Sequence, residues 1–220
     1  MTLRLAGVTT VILLIVSLPL AWWLARSARR IRSAVEALSA LPLLLPPTVL
    51  GFYLLVMLGP DTFVGRRLIA VFGHPLAFTF SGLVVGSVLY SFPFAVQPLT
   101  AGFRAIDAAA LEDAALLGAS PGRVFRTVAM PMARPALVTA AVLAFMHTVG
   151  EFGVVLMLGG NIPGATRTLS IELYDAVNEF DYASANHTAL LLMGCAFVAL
   201  LAIYWRRGAR GSSQSGGRLV

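Results

Sequence analysis

Five apolar stretches, at about residues 5–25, 41–59, 76–98, 135–158 and 187–205, constrain this chain more than any other feature. Each comes close to or exceeds the ~20 residues that an α-helix needs to cross a hydrocarbon core roughly 30 Å thick. Lipid offers no water to unpaired backbone groups, so such stretches must close their hydrogen bonds within themselves as helices. Composition agrees: 58% of residues are hydrophobic and only 12% are charged, where a soluble domain carries about 25% charge. The expected fold is all-α and polytopic, with about five transmembrane helices. The first stretch is no secretory leader, because Arg4 alone precedes it while Arg26, Arg29, Arg30 and Arg32 follow it, the reverse of the leader pattern.

Charge placement orients the spans. With the N-terminus outside, the inner segments 26–40, 99–134 and 206–220 hold Arg26, Arg29, Arg30, Arg32, Arg104, Arg123, Arg126, Arg134, Arg206, Arg207, Arg210 and Arg218. Only Arg4, Arg66, Arg67 and Arg167 then lie outside, so the positive-inside rule places the C-terminus in the cytoplasm. The net charge of +6 is an orientation signal and gives no reason to expect nucleic acid as a partner. All 16 basic residues are arginine, and a phosphate-binding loop requires a lysine to reach the terminal phosphates. The chain therefore does not hydrolyse ATP by that route. The single cysteine, Cys195, reads as a packing residue. Residues 1–210 are expected to form one transmembrane domain and 211–220 a flexible cytoplasmic tail.

Breakers punctuate the spans. Pro42, Pro46 and Pro47 enter the second, Pro93 and Pro98 leave the third, and Pro135 opens the fourth. They mark either helices lining a cavity or simple interfacial kinks. Gly82 and Gly86, four residues apart, permit a close helix approach. Glu151, in the outer half of the fourth span with His147 one turn earlier, is a candidate for a structural or gating role, with His147 or Arg167 as partner. A plain packing contact is equally consistent. Gly159, Gly160, Asn161, Pro163 and Gly164 make an external turn that either receives a delivery protein or is an ordinary loop. Asp175, Glu179 and Asp181 lack histidine at ligand spacing and read as a solvated face. No metal cluster and no nucleophile–base pair emerges.

The longest polar segment between spans reads RAIDAAALEDAALLGASPGRVFRTVAMPMAR over residues 104–134. Ala and Leu dominate 107–117, with acidic residues near the start, which favours a helix. Gly118 supplies a left-handed terminator, Ser120 a cap, Pro121 the first position of a second helix, and Pro131 its stop. Composition alone permits an amphipathic pair resting at the membrane interface. The spacing says more. Glu112-Asp113-Ala114, then Gly118 and Met130-Pro131 at fixed intervals, resembles the E-A-A-x3-G-x9-I-x-L-P signature of ABC importer permeases, with Asp113, Val128 and Met130 departing from it.

That resemblance implies a type I ABC importer permease whose coupling helix, formed by Glu112, Asp113, Ala114, Ala115, Gly118, Ala119 and Ser120 with Pro131 behind it, docks on an ATPase subunit. The segment from Ser39 to Gly51, Gly150-Glu151-Phe152-Gly153 and Gly160-Asn161-Ile162-Pro163-Gly164 are similar to molybdate permeases. His147, Glu151, Asn161 and Pro163 become gate or pore candidates, and no residue is catalytic. The implied partners are a second copy of the chain, two ABC ATPase subunits that bind ATP and magnesium, an extracytoplasmic oxyanion-binding protein, and membrane lipid. No cofactor is expected in this chain. Permeation of sulfate or another oxyanion is the alternative; an ion-driven transporter would need internal repeats and paired charges that are not seen.

Overall fold

A computed structural model describes the backbone of residues 1–215 and the side chains through residue 204. Helix α1 spans Thr2–Arg26. After α2 (Ile31–Ala40) and a 3-10 turn (Leu41–Leu43), the chain turns by 105° into α3 (Pro47–Met57). Pro46 makes this corner: a residue followed by proline is driven out of the helical region, and its ψ is 133°. Helix α4 (Phe63–Phe72) starts on Thr62, whose hydroxyl accepts from the Gly65 amide at 2.9 Å, and ends on left-handed Gly73. Helix α5 (Phe80–Arg104) is similarly capped by Thr79 and runs straight through Pro93 and Pro98, which therefore do not end the third span.

Next come α6 (Ala108–Leu116), α7 (Pro121–Val124), a π-helical segment (Phe125–Ala129) and α8 (Met130–Met132). A 71° bend leads into α9 (Arg134–Gly150), and α10 (Gly153–Gly159) follows a two-residue break. No strand occurs among the described residues. Thr2–Arg26, Phe80–Arg104 and Tyr182–Tyr204 are three helices long and apolar enough to span, and the two bent pairs raise the count to five. The second expected span thus has its corner at 44–46, while the fourth, 135–158, begins just after its bend and is interrupted at Glu151–Phe152. The 11 residues of α3 reach only about half of a hydrocarbon core at ~1.5 Å per residue.

Residues 1–171 form one compact unit. Its waist joins α1, α5 and α9 through Leu13, Ala95 and Ala144; the two alanines let helix backbones approach where lipid supplies no hydrophobic drive. One end packs Leu54, Leu58, Leu83, Val154 and Leu158; the other packs Ala21, Leu99, Phe103, Ile106 and Ala129. Close approaches explain several glycines. A Cβ on Gly86 would stand 2.5 Å from Leu158 Cδ1, whereas one on Gly82 would strike the Leu76 carbonyl. Only Gly86 of the expected pair therefore serves helix packing.

Residues 172–220 form a second unit. Helix α11 (Leu169–Asn178) leads to it, and α12 (Tyr182–Ser215) dominates it. Leu190, Leu191, Met193, Phe197 and Val198 are exposed along α12, an apolar surface that suits lipid. Cys195 is exposed too, which overturns its reading as a packing residue. The helix continues through Ser215 where the tail was expected from 211; residues 216–220, and the side chains of Arg206, Arg207, Arg210 and Arg218, lie outside the described residues.

Candidate functional site

The loop at 104–134 folds largely as local chemistry dictates. Asp107 caps α6, its carboxylate accepting from the Ala109 amide at 3.1 Å. At the other end Gly118 has φ of +82°. The Gly118 amide donates to the Ala115 carbonyl at 2.9 Å and the Ala119 amide to the Ala114 carbonyl at 3.1 Å. This is the paired Schellman closure, which leaves the last carbonyls satisfied and turns the chain sharply. Pro121 occupies the first position of α7 as expected. Ser120 stands at the N-cap, yet its hydroxyl makes no capping bond.

Pro131 does not stop the second helix. The Met130 amide reaches back to the Phe125 carbonyl, a five-residue step that widens the turn just before a proline unable to donate. The helix continues through Met132, and the break falls at Ala133 instead.

Glu112 and Asp113 are exposed on α6, Ala115 and Gly118 are exposed beside them, and Ala114 and Ala119 are half-buried. No salt bridge joins Glu112 or Asp113 to Arg123 or Arg126 among the described residues. Sequence reasoning passed over Leu116 and Leu117, which are 85% and 89% exposed. Two leucines projecting from a capped helix end form an apolar knob with no partner among the described residues. The signal was the Leu-Leu pair just before Gly118, where a helix end cannot turn both inward.

Beneath this knob the loop is held by α1 and α5. Trp22 packs against Phe103 and Phe125 with ring centroids 5.3 Å away in each case. The Arg26 guanidinium donates to the carbonyls of Phe103 at 3.4 Å and Ile106 at 3.3 Å, and lies 5.3 Å from the Trp22 ring. It thus ties carbonyls at and just beyond the end of α5 to α1, where α6 departs. Arg104 forms a two-pronged pair with Glu36 at 2.8 and 3.0 Å.

The second locus is the break between α9 and α10. A cavity of about 390 Å³ opens there, lined by Thr48 from α3, Tyr90 from α5, and His147, Glu151 and Gly153. Gly153 is required: a Cβ would meet Pro47 Cβ at 2.8 Å and the Thr48 amide nitrogen at 3.2 Å. His147 stacks on Phe94 with centroids 3.9 Å apart, and its Nδ1 lies 2.9 Å from Ser91 Oγ. Glu151 is 3% exposed and neither carboxylate oxygen has a hydrogen-bond partner among the described residues. The Ser87 hydroxyl faces it without reaching hydrogen-bond geometry. The expected pairing of Glu151 with His147 or Arg167 is therefore absent. Arg167 Nε instead donates to Asn161 Oδ1 at 2.8 Å, holding Asn161 in a left-handed conformation with φ of +55°. Pro163 is exposed in the same turn, so Asn161 and Pro163 belong to a separate surface feature.

The acidic segment at 175–181 carries no metal-holding group of three or more ligands among the described residues. Asp181 accepts from the Ser184 amide at 3.1 Å, and the Ser184 hydroxyl and amide hold its carboxyl below the ordinary range.

A family described as binding-protein-dependent transport system inner membrane component matches residues 17–205. The chain is 52% identical over 207 residues to the molybdenum transport system permease protein ModB of Azotobacter vinelandii, covering 94% of this chain and 92% of that one. It is 31% identical to the sulfate transport system permease protein CysT of Salmonella typhimurium, over 92% of this chain and 73% of that protein. Two solved structures share the fold. A bacterial ABC transporter for import of the acidic polysaccharide alginate superposes with TM-score 0.71 at 18% identity, over 94% of this chain and 76% of that one. The inward-facing MetNI methionine ABC transporter gives 0.70 at 19% identity, over 94% and 92%.

Proposed function

Because the chain belongs to the family of binding-protein-dependent transport system inner membrane components, we infer that it is the permease subunit of an ATP-driven molybdate importer. One observation carries the substrate: 52% identity to a molybdenum permease across nearly the full length of both chains. Sulfate is the second reading, supported by the weaker likeness to a sulfate permease at 31% identity.

In this reading the protein lies in the cytoplasmic membrane with its N-terminus outside, as the arginine distribution favours. Two copies enclose the pathway, closed two-fold pairing being the commonest assembly. Each presents α6 to one ATPase subunit, which binds ATP and magnesium; this chain holds no cofactor and performs no catalysis. Leu116 and Leu117 supply the apolar knob for a groove on the ATPase, and Glu112 and Asp113 the charged rim. The extracytoplasmic binding protein delivers the oxyanion near the turn carrying Asn161 and Pro163.

Movement of the ATPase reaches the membrane through contacts already described. Arg26 and the Trp22–Phe103–Phe125 cluster tie the root of α6 to the ends of α1 and α5. The π segment and the 71° bend tie the other end to α9. ATP binding and hydrolysis bias a two-state equilibrium of these helices and create no new chemistry in the permease.

The test is co-reconstitution with the ATPase and binding protein in proteoliposomes. Molybdate-loaded binding protein is expected to stimulate hydrolysis and drive uptake. Stimulation by sulfate with none by molybdate would overturn the substrate, and uptake without the ATPase would overturn the class.

A further inference from the structure

Arg26, Arg29, Arg30 and Arg32 follow one another closely at the end of α1, and only two of them are used inside the chain. Arg26 holds the carbonyls of Phe103 and Ile106. Arg32 donates to the Ser27 carbonyl at 3.3 Å and lies 3.8 Å from Glu36. Arg29 and Arg30 are exposed, and no hydrogen bond or ion pair engages either side chain among the described residues. Helix α2 follows them and is amphipathic in the inverse sense to a helix of a soluble protein. Ile31, Ala34 and Leu38 share one face by helical spacing, and all three are exposed, Ile31 by 60% and Leu38 by 68%. On the opposite face Glu36 pairs with Arg104, and the buried Ser39 hydroxyl donates to the Val35 carbonyl at 2.7 Å. The polar face thus turns toward the chain and the apolar face away from it, which water disfavours and lipid favours.

The neighbours of α2 set its depth. Arg26 and Arg104 are the last residues of α1 and α5, and the Arg26 contacts bring those two ends to one level. Both helices have 25 residues, about 37 Å of helix against a hydrocarbon core of roughly 30 Å, so their ends reach the headgroups. Further along α2, Ser39 and Ala40 share a cavity of about 370 Å³ with Val96 and Gln97, two turns back from Arg104. The apolar stripe therefore runs from the headgroup level into the membrane, where a soluble partner does not reach. A second copy of the chain offers apolar surface but no counter-charge for Arg29 and Arg30. On this side Glu36 is taken by Arg104 and Asp107 caps α6, while Glu112 and Asp113 sit on α6 itself. The chain's other acids lie within the fourth span or on segments that the alternation of spans puts on the opposite side. A lipid with a charged phosphate supplies both the acyl chains and the anion.

We propose that Arg29, Arg30 and the outward face of α2 form a binding surface for an anionic phospholipid, with the guanidinium groups on the headgroup phosphate and Ile31 and Leu38 against the acyl chains. Arginines clustered just beyond a membrane-spanning helix attract such headgroups, and the planar guanidinium fork matches phosphate oxygens. The leaflet is the one in which α1 ends, which is the cytoplasmic leaflet on the orientation used for the proposed function. Because Glu36 joins α2 to Arg104, the lipid sits one ion pair away from the root of the loop that carries α6.

Fluorescence quenching in lipid nanodiscs holding the full chain tests this without requiring transport. Leu38→Cys carries a bimane label, and Cys195, itself exposed, is replaced by serine. Phosphatidylglycerol brominated on its acyl chains is diluted into phosphatidylcholine, and its quenching is compared with that of brominated phosphatidylcholine to give the lipid preference at this one position. With Arg29 and Arg30 present, the anionic lipid is expected to be preferred by a factor of about five for each arginine. R29Q and R30Q each lower the preference about fivefold and the double variant brings it close to unity; raising the salt concentration also lowers it. Quenching by neither lipid means that protein, such as a second copy, covers the face, and overturns the proposal. Equal quenching by both lipids, or a preference that survives in R29Q/R30Q, overturns it too. The label at Ile31→Cys, on the same stripe, decides the matter should the Leu38 variant fail to fold. The quenching does not depend on which oxyanion is carried, so an error in the substrate leaves it unchanged, and its failure leaves the importer reading standing.

Discussion

Substituting Gly118 separates the geometry of the α6 end from the stability of the rest of the chain. The residue sits at φ of +82°, and no atom lies within 4 Å of the position a Cβ would take. A side chain there meets nothing, so its whole cost is conformational. For alanine in the left-handed region that cost is about 1–2 kcal/mol, a factor of roughly 5–30 in the ratio of closed to frayed helix ends. Asparagine enters this region more readily and loses less. Proline is excluded from positive φ and also lacks the amide that bonds the Ala115 carbonyl at 2.9 Å, a further loss of about 1 kcal/mol. The assay is uptake and ATP hydrolysis measured in the same proteoliposomes, expressed as oxyanion moved per ATP consumed. The ratio is expected to fall in the order glycine, asparagine, alanine, proline, with Gly118→Pro nearly uncoupled. Thermal unfolding of the detergent-solubilised chain is expected to change little, because Gly118 is exposed. Wild-type coupling in Gly118→Pro would refute the reasoning. So would a loss of coupling matched by global destabilisation, since the effect would then not be local to the helix end.

Other expectations follow from the same contacts. Replacing both Leu116 and Leu117 with serine leaves folding intact, as both are largely exposed, but is expected to weaken ATPase binding at least tenfold, read by co-purification or surface plasmon resonance. Arg26→Ala removes two carbonyl contacts and an aromatic contact, a loss of about 1–3 kcal/mol that should lower the midpoint of thermal unfolding. Arg26→Lys, lacking the planar fork, is expected to restore only part of it. Glu36→Gln breaks the pair with Arg104; both side chains are more than a third exposed, so the loss should be under about 1 kcal/mol and vanish in high salt. Gly153→Ala drives a Cβ against the Pro47 and Thr48 backbone and is expected to cost about 1–3 kcal/mol, measurable as reduced yield of folded protein.

What could be read in the sequence was what is decided locally. Asp107, Gly118 and Pro121 act within a few residues of themselves, and the structure finds each in a role its chemistry dictates. Prolines were misread wherever neighbouring turns compensated for them. Pro131 sits behind a widened turn, and Pro93 and Pro98 lie inside a helix that packs on α1 and α9 throughout its length. Hydropathy located the five apolar stretches but not the corner in the second or the one just before the fourth, because a bent pair and a straight helix have the same composition. Leu116 and Leu117 were passed over, because the Leu-Leu pair before Gly118 hints at exposure but only the tertiary position of the helix end makes both project. Glu151 was recognisable as a costly acid in a membrane span, yet the absence of a partner depends on residues from three elements that the sequence does not align. The contact between Ser91 and His147 was equally hidden, since the two lie 56 residues apart in sequence.

The wide turn at Phe125–Ala129 contains one residue more than an α-helical turn would use. Were it to tighten, that residue would have to be absorbed elsewhere, and everything beyond it would advance by about 1.5 Å and rotate by roughly 100°. On the proposed function, the segment would act as a slack link between the part of the loop offered to the ATPase and α9, which ends at Gly150 beside Glu151. A displacement delivered there need not be passed on as a proportional push; it can be taken up as a single step of register.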